Sequence, residues 1–146
     1  WGASVKMFFK ALGAAKIWRR LLARGRWDIF VKEQPFCEMV WTKGDIFERF
    51  EVPWTDRRYG MRPQAHAQFW ILRLNNRTRK LMRHWEDLMT DFHLVSDERS
   101  KAANPRFFKE NRHDQSVLSM LLKANAAEMS SNLGHCQQYL DAHPDA

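Results

Sequence analysis

A polar run that leads into an apolar helical pattern is the part of this sequence best suited to chemistry. The run 111–115 holds an asparagine, an arginine, a histidine, a carboxylate and an amide, and Leu118, Leu121 and Leu122 follow it. Residues three and four positions apart lie on one face of a helix, so the pattern predicts a helix that begins near Asp114. A carboxylate at that position can accept hydrogen bonds from the free N–H groups of the first helical turn.

Two interpretations of this junction remain open from spacing alone. In the first, Arg112, His113, Asp114 and Gln115 project into a cleft, while the helix behind them holds them in place. In the second, Asp114 only caps an ordinary surface helix. Spacing by itself favours the cap, so the choice depends on other segments of the chain.

The composition is that of a basic, globular chain. Of 146 residues, 45% are hydrophobic and 28% are charged, and the chain has seven Trp and ten Phe, which excludes a disordered polymer. The net charge of +7 suits an anionic partner such as nucleic acid, an acidic membrane surface or a phosphorylated substrate. No apolar run approaches the ~20 residues of a transmembrane helix. No signal peptide is visible, and the sequence indicates no compartment.

The cysteines and histidines form no recognisable metal motif. Cys37 and Cys136 are the only cysteines and lie far apart in sequence, so a cysteine-based zinc site is not expected. We predict free, half-buried thiols, although a disulfide is compatible with an oxidising compartment. No H-E-x-x-H, glycine-rich phosphate loop or G-x-S-x-G motif occurs. The sequence predicts no metal ligands in this chain.

Hydrophobic periodicity predicts an α/β order of elements that is rich in helices and has few strands. The predicted order begins with an amphipathic helix at 4–23, a strand from 27 that Gln34-Pro35 ends, a helix at 43–50 and a loop at 53–63. A strand at 64–74, covered on both faces, and a helix capped by Asn76 or Thr78 with Trp85 in its core stripe follow. A polar loop at 94–110 and a helix from Asp114 to about Ala127 complete the order.

Two strands are few for an independent sheet. We therefore expect residues 1–146 to form a single domain that is the carboxyl-terminal part of a larger α/β domain. The chain begins at Trp1 rather than at Met, which agrees with that expectation.

Three blocks of the sequence resemble nucleotide-sugar glycosyltransferases of the GT-A type. Residues 41–47, W-T-K-G-D-I-F, resemble the W-T-K-R-D-L-F block of capsule and surface-polysaccharide glycosyltransferases, with Gly44 in place of Arg. Residues 64–73 are similar to a strand that runs along the sugar site in those enzymes. Residues 111–122, N-R-H-D-Q-S-V-L-S-M-L-L, are close to the family pattern N-R-H-D-Q-S-I-L-S-L-L. Together the blocks span most of the chain.

The resemblance implies a partial GT-A-like fold and a role in polysaccharide biosynthesis. Its reaction would transfer a sugar from a nucleotide diphosphate donor to a glycan or other acceptor. By this resemblance Asp114 and Gln115 are the catalytic residues that face the donor sugar. The substrate-binding residues it implies are Arg112, His113, Gln64 and His66.

One departure from the family pattern concerns the metal. GT-A enzymes hold a divalent cation with a D-x-D motif, and no D-x-D occurs in this sequence. The resemblance therefore implies that the metal-binding, amino-terminal half of the domain is missing. It implies that a full-length parent uses Mn or Mg, and that this fragment alone is inactive.

A non-enzymatic, basic nucleic-acid-binding or interaction domain is the alternative. Positive charge and aromatic residues are both present. However, the aromatic residues fall on helix core stripes, and no helix-turn-helix or RNP-like signature occurs. Nucleic acid is therefore not the favoured partner.

Overall fold

A computed structural model of the chain describes residues 28–125, 136–137 and 141–142. These residues form a small mixed α/β domain with a two-stranded sheet and five helices. The elements are β1 (Ile29–Cys37), α1 (Glu38–Trp41), α2 (Gly44–Arg49), β2 (Pro63–Leu72), α3 (Asn76–Met89), α4 (Phe92–Val95) and α5 (His113–Ala124). The α/β class with few strands is confirmed, and the predicted helix at 4–23 lies outside the described residues. None of the described helices is long and apolar enough to cross a bilayer.

The two strands pair antiparallel and irregularly. Ile29 lies opposite Leu72 and Cys37 lies opposite Pro63, with two shifts of register between these ends. The prediction that Gln34-Pro35 ends the strand was wrong, because β1 continues to Cys37. Proline lacks the N–H that a regular ladder uses and is tolerated at bulges. Pro35 lies within such an irregular stretch.

Helix α5 is the centre of the domain. Its residues 116–122 are all buried, and it packs against β2, α2, α3 and α4. The main hydrophobic cluster consists of Ile46, Phe47, Ala65, Leu81, Leu88, Leu94, Val117, Leu118, Met120, Leu121 and Leu122. The description of this segment as an ordinary surface helix is therefore wrong. A second, smaller cluster holds Cys37, Met39, Val40, Phe107 and Cys136.

The amino-terminal cap of α3 lies one residue earlier than predicted. The Asn75 side chain accepts a hydrogen bond from the Thr78 amide at 2.9 Å, and the Thr78 hydroxyl accepts from the Asn75 amide at 3.0 Å. This reciprocal capping box satisfies two N–H groups and determines where the helix begins.

The core face of α3 also differs from the prediction. Leu81 and Leu88 are buried, Trp85 is only half-buried, and Phe92 just beyond the helix is 69% exposed. Its place in the predicted core stripe implied that Trp85 is among the most buried residues, and that expectation was wrong. Because α3 is amphipathic with many charged residues, a small rotation about its axis changes which apolar side chains reach α5.

The two cysteines form a disulfide, so the prediction of free thiols was wrong. Cys37 and Cys136 have Cα atoms 5.7 Å apart and lie 99 residues apart in sequence. Both are buried in the second hydrophobic cluster. The bond joins the end of β1 to a segment near the end of the chain, a proximity that linear spacing does not reveal.

Candidate functional site

A cleft of about 420 Å³ opens at the amino-terminal end of α5. Its walls are Ala67, Gln68, Asp97, Glu110, Asn111, Arg112, His113, Asp114 and Gln115. The resemblance predicted that the loop before Asp114 meets the carboxyl end of the 64–74 strand in one cleft. The polar junction does share a cleft with β2, but through Ala67 and Gln68 in the first half of the strand. The volume lies within the range of small-molecule sites.

The backbone turns sharply where α5 begins. His113 has a φ of 49°, a left-handed conformation that is uncommon for residues other than glycine and costs about 1–3 kcal/mol. The preceding residue, Arg112, is the N-cap and makes no side-chain cap hydrogen bond. Its amide instead donates to the Trp41 carbonyl at 3.1 Å and to the Ser116 hydroxyl at 3.2 Å. These contacts hold the turn that directs the polar side chains into the cleft.

Asp114 lies in the first turn of α5, so the prediction that it is the N-cap was wrong. Its side chain is exposed at the cleft. Within the described part of the chain its carboxylate forms no hydrogen bond or ion pair. The positive end of the helix dipole favours a carboxylate there. Asp114 is therefore available to accept hydrogen bonds from a ligand.

Gln115 is held between the two strands. Its side-chain nitrogen donates to the Gln64 amide oxygen at 2.8 Å, and its amide oxygen accepts from the Gln34 amide nitrogen at 3.0 Å. A primary amide has two N–H donors and two acceptor lone pairs. Gln115 therefore keeps one donor and one acceptor for a ligand while its orientation is set by the protein.

Gln64 and His66 do not line the cleft. Gln64 is 0% exposed, and four oxygens of Glu38, Trp41, Thr42 and Ser116 lie within 3.2 Å of its side-chain nitrogen. A fully buried side chain cannot contact a ligand in the cleft, so we reassign Gln64 from predicted substrate contact to positioning residue for Gln115. His66 is half-buried, and its Nδ1 accepts from the Gln68 amide at 3.1 Å.

Both basic side chains of the cleft are already paired. The Arg112 guanidinium lies 4.4 Å from the centre of the Trp41 ring and 3.1 Å from the Glu110 carboxylate. Cation–π contact and ion pairing together restrict its rotamers. The His113 Nε2 lies 2.8 Å from the Asp97 carboxylate. Neither side chain is directed at a ligand without a competing partner.

The cleft differs in charge from the chain as a whole. Its walls contain the three carboxylates of Asp97, Glu110 and Asp114 and two basic groups, although the chain carries a net charge of +7. Carboxylates accept hydrogen bonds and repel phosphate. The cleft therefore suits a neutral ligand that carries several hydroxyl groups better than a polyphosphate.

No family model, curated protein or solved structure matches this chain.

A buried ion pair lies beneath the cleft. The Lys123 ammonium bonds the Glu38 carboxylate, and the two side chains are 2% and 0% exposed. The other Glu38 oxygen accepts from Thr42 and, at 2.9 Å, from Gln64. Burial lowers the pKa of Lys123, and the Glu38 carboxylate opposes that shift. The pair thus supports the underside of Gln64, which in turn orients Gln115.

Two serines connect α5 to this network. Ser116 donates to the Trp41 carbonyl at 2.8 Å, and Ser119 accepts from the Ala65 amide at 2.7 Å and from Lys123 at 3.1 Å. The periodic leucines indicate only the apolar face of α5, so they did not predict the role of these serines. The spacing of 116, 119 and 123 was the available signal, since these positions share a helix face.

No residue of the first resemblance block lines the cleft, and the block holds a neighbouring loop. The buried Lys43 ammonium donates to the carbonyls of His93 and Glu98. The Asp45 carboxylate accepts from the amides of Lys101 at 2.9 Å and Ala102 at 3.1 Å. Burial raises the pKa of Asp45, but these amides, His93 and Lys43 more than offset it and lower the pKa below its ordinary value of 3.8.

Gly44 departs from the arginine of the resembling block for a steric reason. A Cβ at this position would lie 2.2 Å from the Ala103 carbonyl oxygen. The Gly44 amide also donates to the Asn104 side chain at 2.7 Å. The loop packs so closely against α2 that no side chain fits here.

The residues of the cleft do not fit a divalent cation. Among the described residues, no group of three or more His, Cys, Asp or Glu side chains could hold a metal ion. The Asp97 and Glu110 carboxylates are directed at His113 and Arg112 rather than at a common point. We derive no chemical step through a metal for this chain.

Proposed function

We propose that the cleft binds the sugar of a nucleotide-sugar donor, and that the chain is part of a GT-A-like glycosyltransferase that acts on a glycan acceptor. One observation carries the proposal: the exposed carboxylate of Asp114 stands beside an oriented Gln115 in a cleft whose basic groups are already paired. The resemblance of residues 111–122 to the family pattern agrees with it.

The chemistry of these two side chains suits a sugar. A carboxylate accepts hydrogen bonds from two hydroxyl groups, and an amide both donates and accepts. During transfer, positive charge develops at the anomeric carbon, and a nearby carboxylate stabilises such charge. We therefore assign the electrostatic role to Asp114 and the orienting role to Gln115, with Arg112 and His113 as supports of the wall.

Transfer needs more than sugar binding. Negative charge develops on the departing nucleoside diphosphate and must be neutralised by a cation or by clustered donors. The D-x-D motif of GT-A enzymes is absent from these residues. We therefore expect the 146-residue chain to bind a sugar without transferring it, and an enzyme that also contains the metal-binding segment to do both.

Sugar binding can be tested directly on the 146-residue chain by an NMR chemical-shift titration. Methyl α-D-glucopyranoside and methyl α-D-galactopyranoside serve as probes, and the amides of Ala67, Gln68, Asp114 and Gln115 report on the cleft. Asp114→Asn should weaken binding by roughly tenfold, the effect of losing one hydrogen bond to a charged acceptor at about 1.5 kcal/mol. Glu86→Gln is the matched control, because Glu86 is exposed on α3 and does not line the cleft.

Two outcomes would contradict the proposal. The first is a titration in which the cleft amides do not move with either sugar. The second is tight binding of an oligonucleotide at the cleft with an affinity that falls steeply with salt, as the alternative function requires. In the complete enzyme, assayed with a panel of nucleotide sugars and Mn or Mg, Asp114→Asn should lower turnover while nucleotide binding is nearly unchanged.

A further inference from the structure

The first turn of α3 carries the acceptor motif for N-linked glycans. The residues Asn76-Arg77-Thr78 follow the pattern Asn-x-Thr, and the middle residue is not proline. No other asparagine of the chain is followed by Ser or Thr at the second position. The acceptor motif therefore singles out the side-chain nitrogen of Asn76 as a point of attachment.

The capping of α3 explains the residues on either side of Asn76 but not Asn76 itself. The side chains of Asn75 and Thr78 form the reciprocal capping box. Asn76 is the first residue of the helix and is exposed, and within the described part of the chain its side chain forms no hydrogen bond. Asparagine is also one of the poorer helix formers. The fold thus gives no structural reason for asparagine at this position, and its amide nitrogen can carry a substituent without losing a contact.

Asn76 lies at the end of the domain opposite the cleft. The guanidinium of the adjacent Arg77 donates to the Asn125 carbonyl at 3.0 Å, at the carboxyl end of α5. The cleft opens at the amino-terminal end of the same helix. A helix of 12 residues is about 18 Å long. A bulky glycan on Asn76 therefore leaves the cleft accessible.

The disulfide is an independent indication of the compartment in which such glycans are added. Cys37 and Cys136 are bonded to each other, and both are buried in the second hydrophobic cluster. Disulfides form and persist in oxidising environments such as the lumen of the endoplasmic reticulum and the cell exterior. The acceptor motif is used by proteins that pass through the same route. Two features that depend on different residues and different chemistry thus agree on a secretory compartment.

We propose that Asn76 carries an N-linked glycan, attached as the chain enters an oxidising secretory compartment. The donor is an oligosaccharide joined to a polyprenyl diphosphate, and the catalyst is a membrane-bound oligosaccharyltransferase. The Asn76 Nδ2 atom attacks the anomeric carbon of the first sugar, so that a nitrogen–carbon bond forms and the bond from that carbon to the diphosphate oxygen breaks. The polyprenyl diphosphate leaves, and one N–H proton passes to a base of the transferase.

Burial of Thr78 determines when the transfer takes place. Its side chain belongs to the acceptor motif, yet Thr78 is 0% exposed in the folded domain and its hydroxyl is bonded in the capping box. The transferase can therefore contact this hydroxyl only before α3 packs against the rest of the domain. The glycan is added first, and Thr78 then takes its place in the capping box while Asn76 stays at the surface.

The test follows the 146-residue chain, joined to a cleavable secretion signal, in two systems. Cell-free translation with microsomes reports transfer before folding, and secretion from cultured animal cells reports whether the folded domain carries the glycan. We expect one glycan in both systems. Peptide N-glycosidase should remove it, and in heavy-oxygen water this hydrolysis leaves a labelled carboxyl group at position 76, which peptide mass mapping locates.

Four variants identify the residues that the transfer needs. Asn76→Gln keeps an exposed amide but removes the acceptor, and it should lose the glycan completely in both systems. Thr78→Val removes the hydroxyl at nearly constant volume and should lose the glycan in microsomes, whereas Thr78→Ser should keep it. Asn75→Ser is the matched control, because it removes the neighbouring asparagine, keeps a good capping residue and leaves the acceptor motif intact.

The expected result is a secreted protein that has a glycan on Asn76, no free thiol, and the same far-ultraviolet circular dichroism before and after removal of the glycan. If microsomes add no glycan to the unchanged chain, or if Asn76→Gln keeps it, the assignment of Asn76 is refuted. A glycan found only on chains that retain free thiols and are not secreted would refute it too, because the fold would then not tolerate the modification. None of these results depends on sugar binding in the cleft, so the two proposals fail separately.

Discussion

The buried ion pair of Glu38 and Lys123 supports a quantitative prediction. Lys123→Met keeps an unbranched side chain of similar length but leaves the Glu38 carboxylate, 0% exposed, without its counter-charge. Breaking a buried pair by removing one partner costs about 3–5 kcal/mol. The total stability of a domain is about 5–15 kcal/mol, so this substitution should remove a large share of it.

The double variant separates charge from shape. Glu38→Gln should cost a similar amount, since it leaves the Lys123 ammonium buried. Glu38→Gln with Lys123→Met removes both charges at nearly constant volume, and such replacements are often neutral. The two single losses sum to roughly 6–10 kcal/mol, while we expect the double variant to lose less than about 2 kcal/mol. The difference is the coupling energy of the pair.

The pH dependence of Glu38→Gln provides a second signature. Burial already lowers the pKa of Lys123, with Glu38 opposing the shift, and removal of Glu38 lowers that pKa further. The unfolded state then binds more protons than the folded state at every pH between the folded pKa and the ordinary value of 10.5. The unfolding free energy of Glu38→Gln should therefore rise as the pH rises through that window.

Urea denaturation followed by tryptophan fluorescence and far-ultraviolet circular dichroism measures all four proteins of the cycle. Lys80→Met is the matched control, because Lys80 is exposed on α3, and its cost should be within about 0.5 kcal/mol. If the double variant loses as much stability as the two single variants together, the two side chains act independently and the predicted coupling is refuted. A cost below about 1 kcal/mol for Lys123→Met would do the same.

Three further perturbations test the scaffold. The Cys37–Cys136 disulfide closes a loop with a sequence separation of 99, and its reduction should lower the unfolding free energy by about 4–5 kcal/mol. Cys136→Ser should lose the same stability, and its urea midpoint should not respond to dithiothreitol. Burial raises the pKa of Asp45, but hydrogen bonds to its carboxylate hold that pKa below 3.8. The unfolding free energy should therefore fall as the pH falls below 3.8. Asp45→Asn should lack this contribution to the loss of stability in acid. Gly44→Ala places a Cβ 2.2 Å from the Ala103 carbonyl oxygen and should lower the free energy of unfolding by about 1–3 kcal/mol. An unchanged melting temperature would mean that the loop moves aside freely.

Local patterns in the sequence were enough to predict the elements that bring the site together. The leucine spacing after Asp114 predicted α5, and the apolar run from residue 64 predicted β2. Both are short-range properties, because helical and strand periods are read within one or two turns. The convergence of the two blocks on one cleft followed from the resemblance, whereas their functional roles stay proposals.

Contacts between residues distant in sequence determined the rest. Which face of α3 is buried, the pairing of Cys37 with Cys136 and the burial of Gln64 each depend on packing between separate elements. Pro35 continues a strand only because the opposite strand accepts an irregular register. Sequence alone thus determined β2, α2, α3, α5 and the polar cluster that ends at Gln115, but not the short helices α1 and α4 or the end of β1. Only the tertiary structure decided which polar side chains face the cleft and which are buried beneath it, because burial depends on what the rest of the chain places against them.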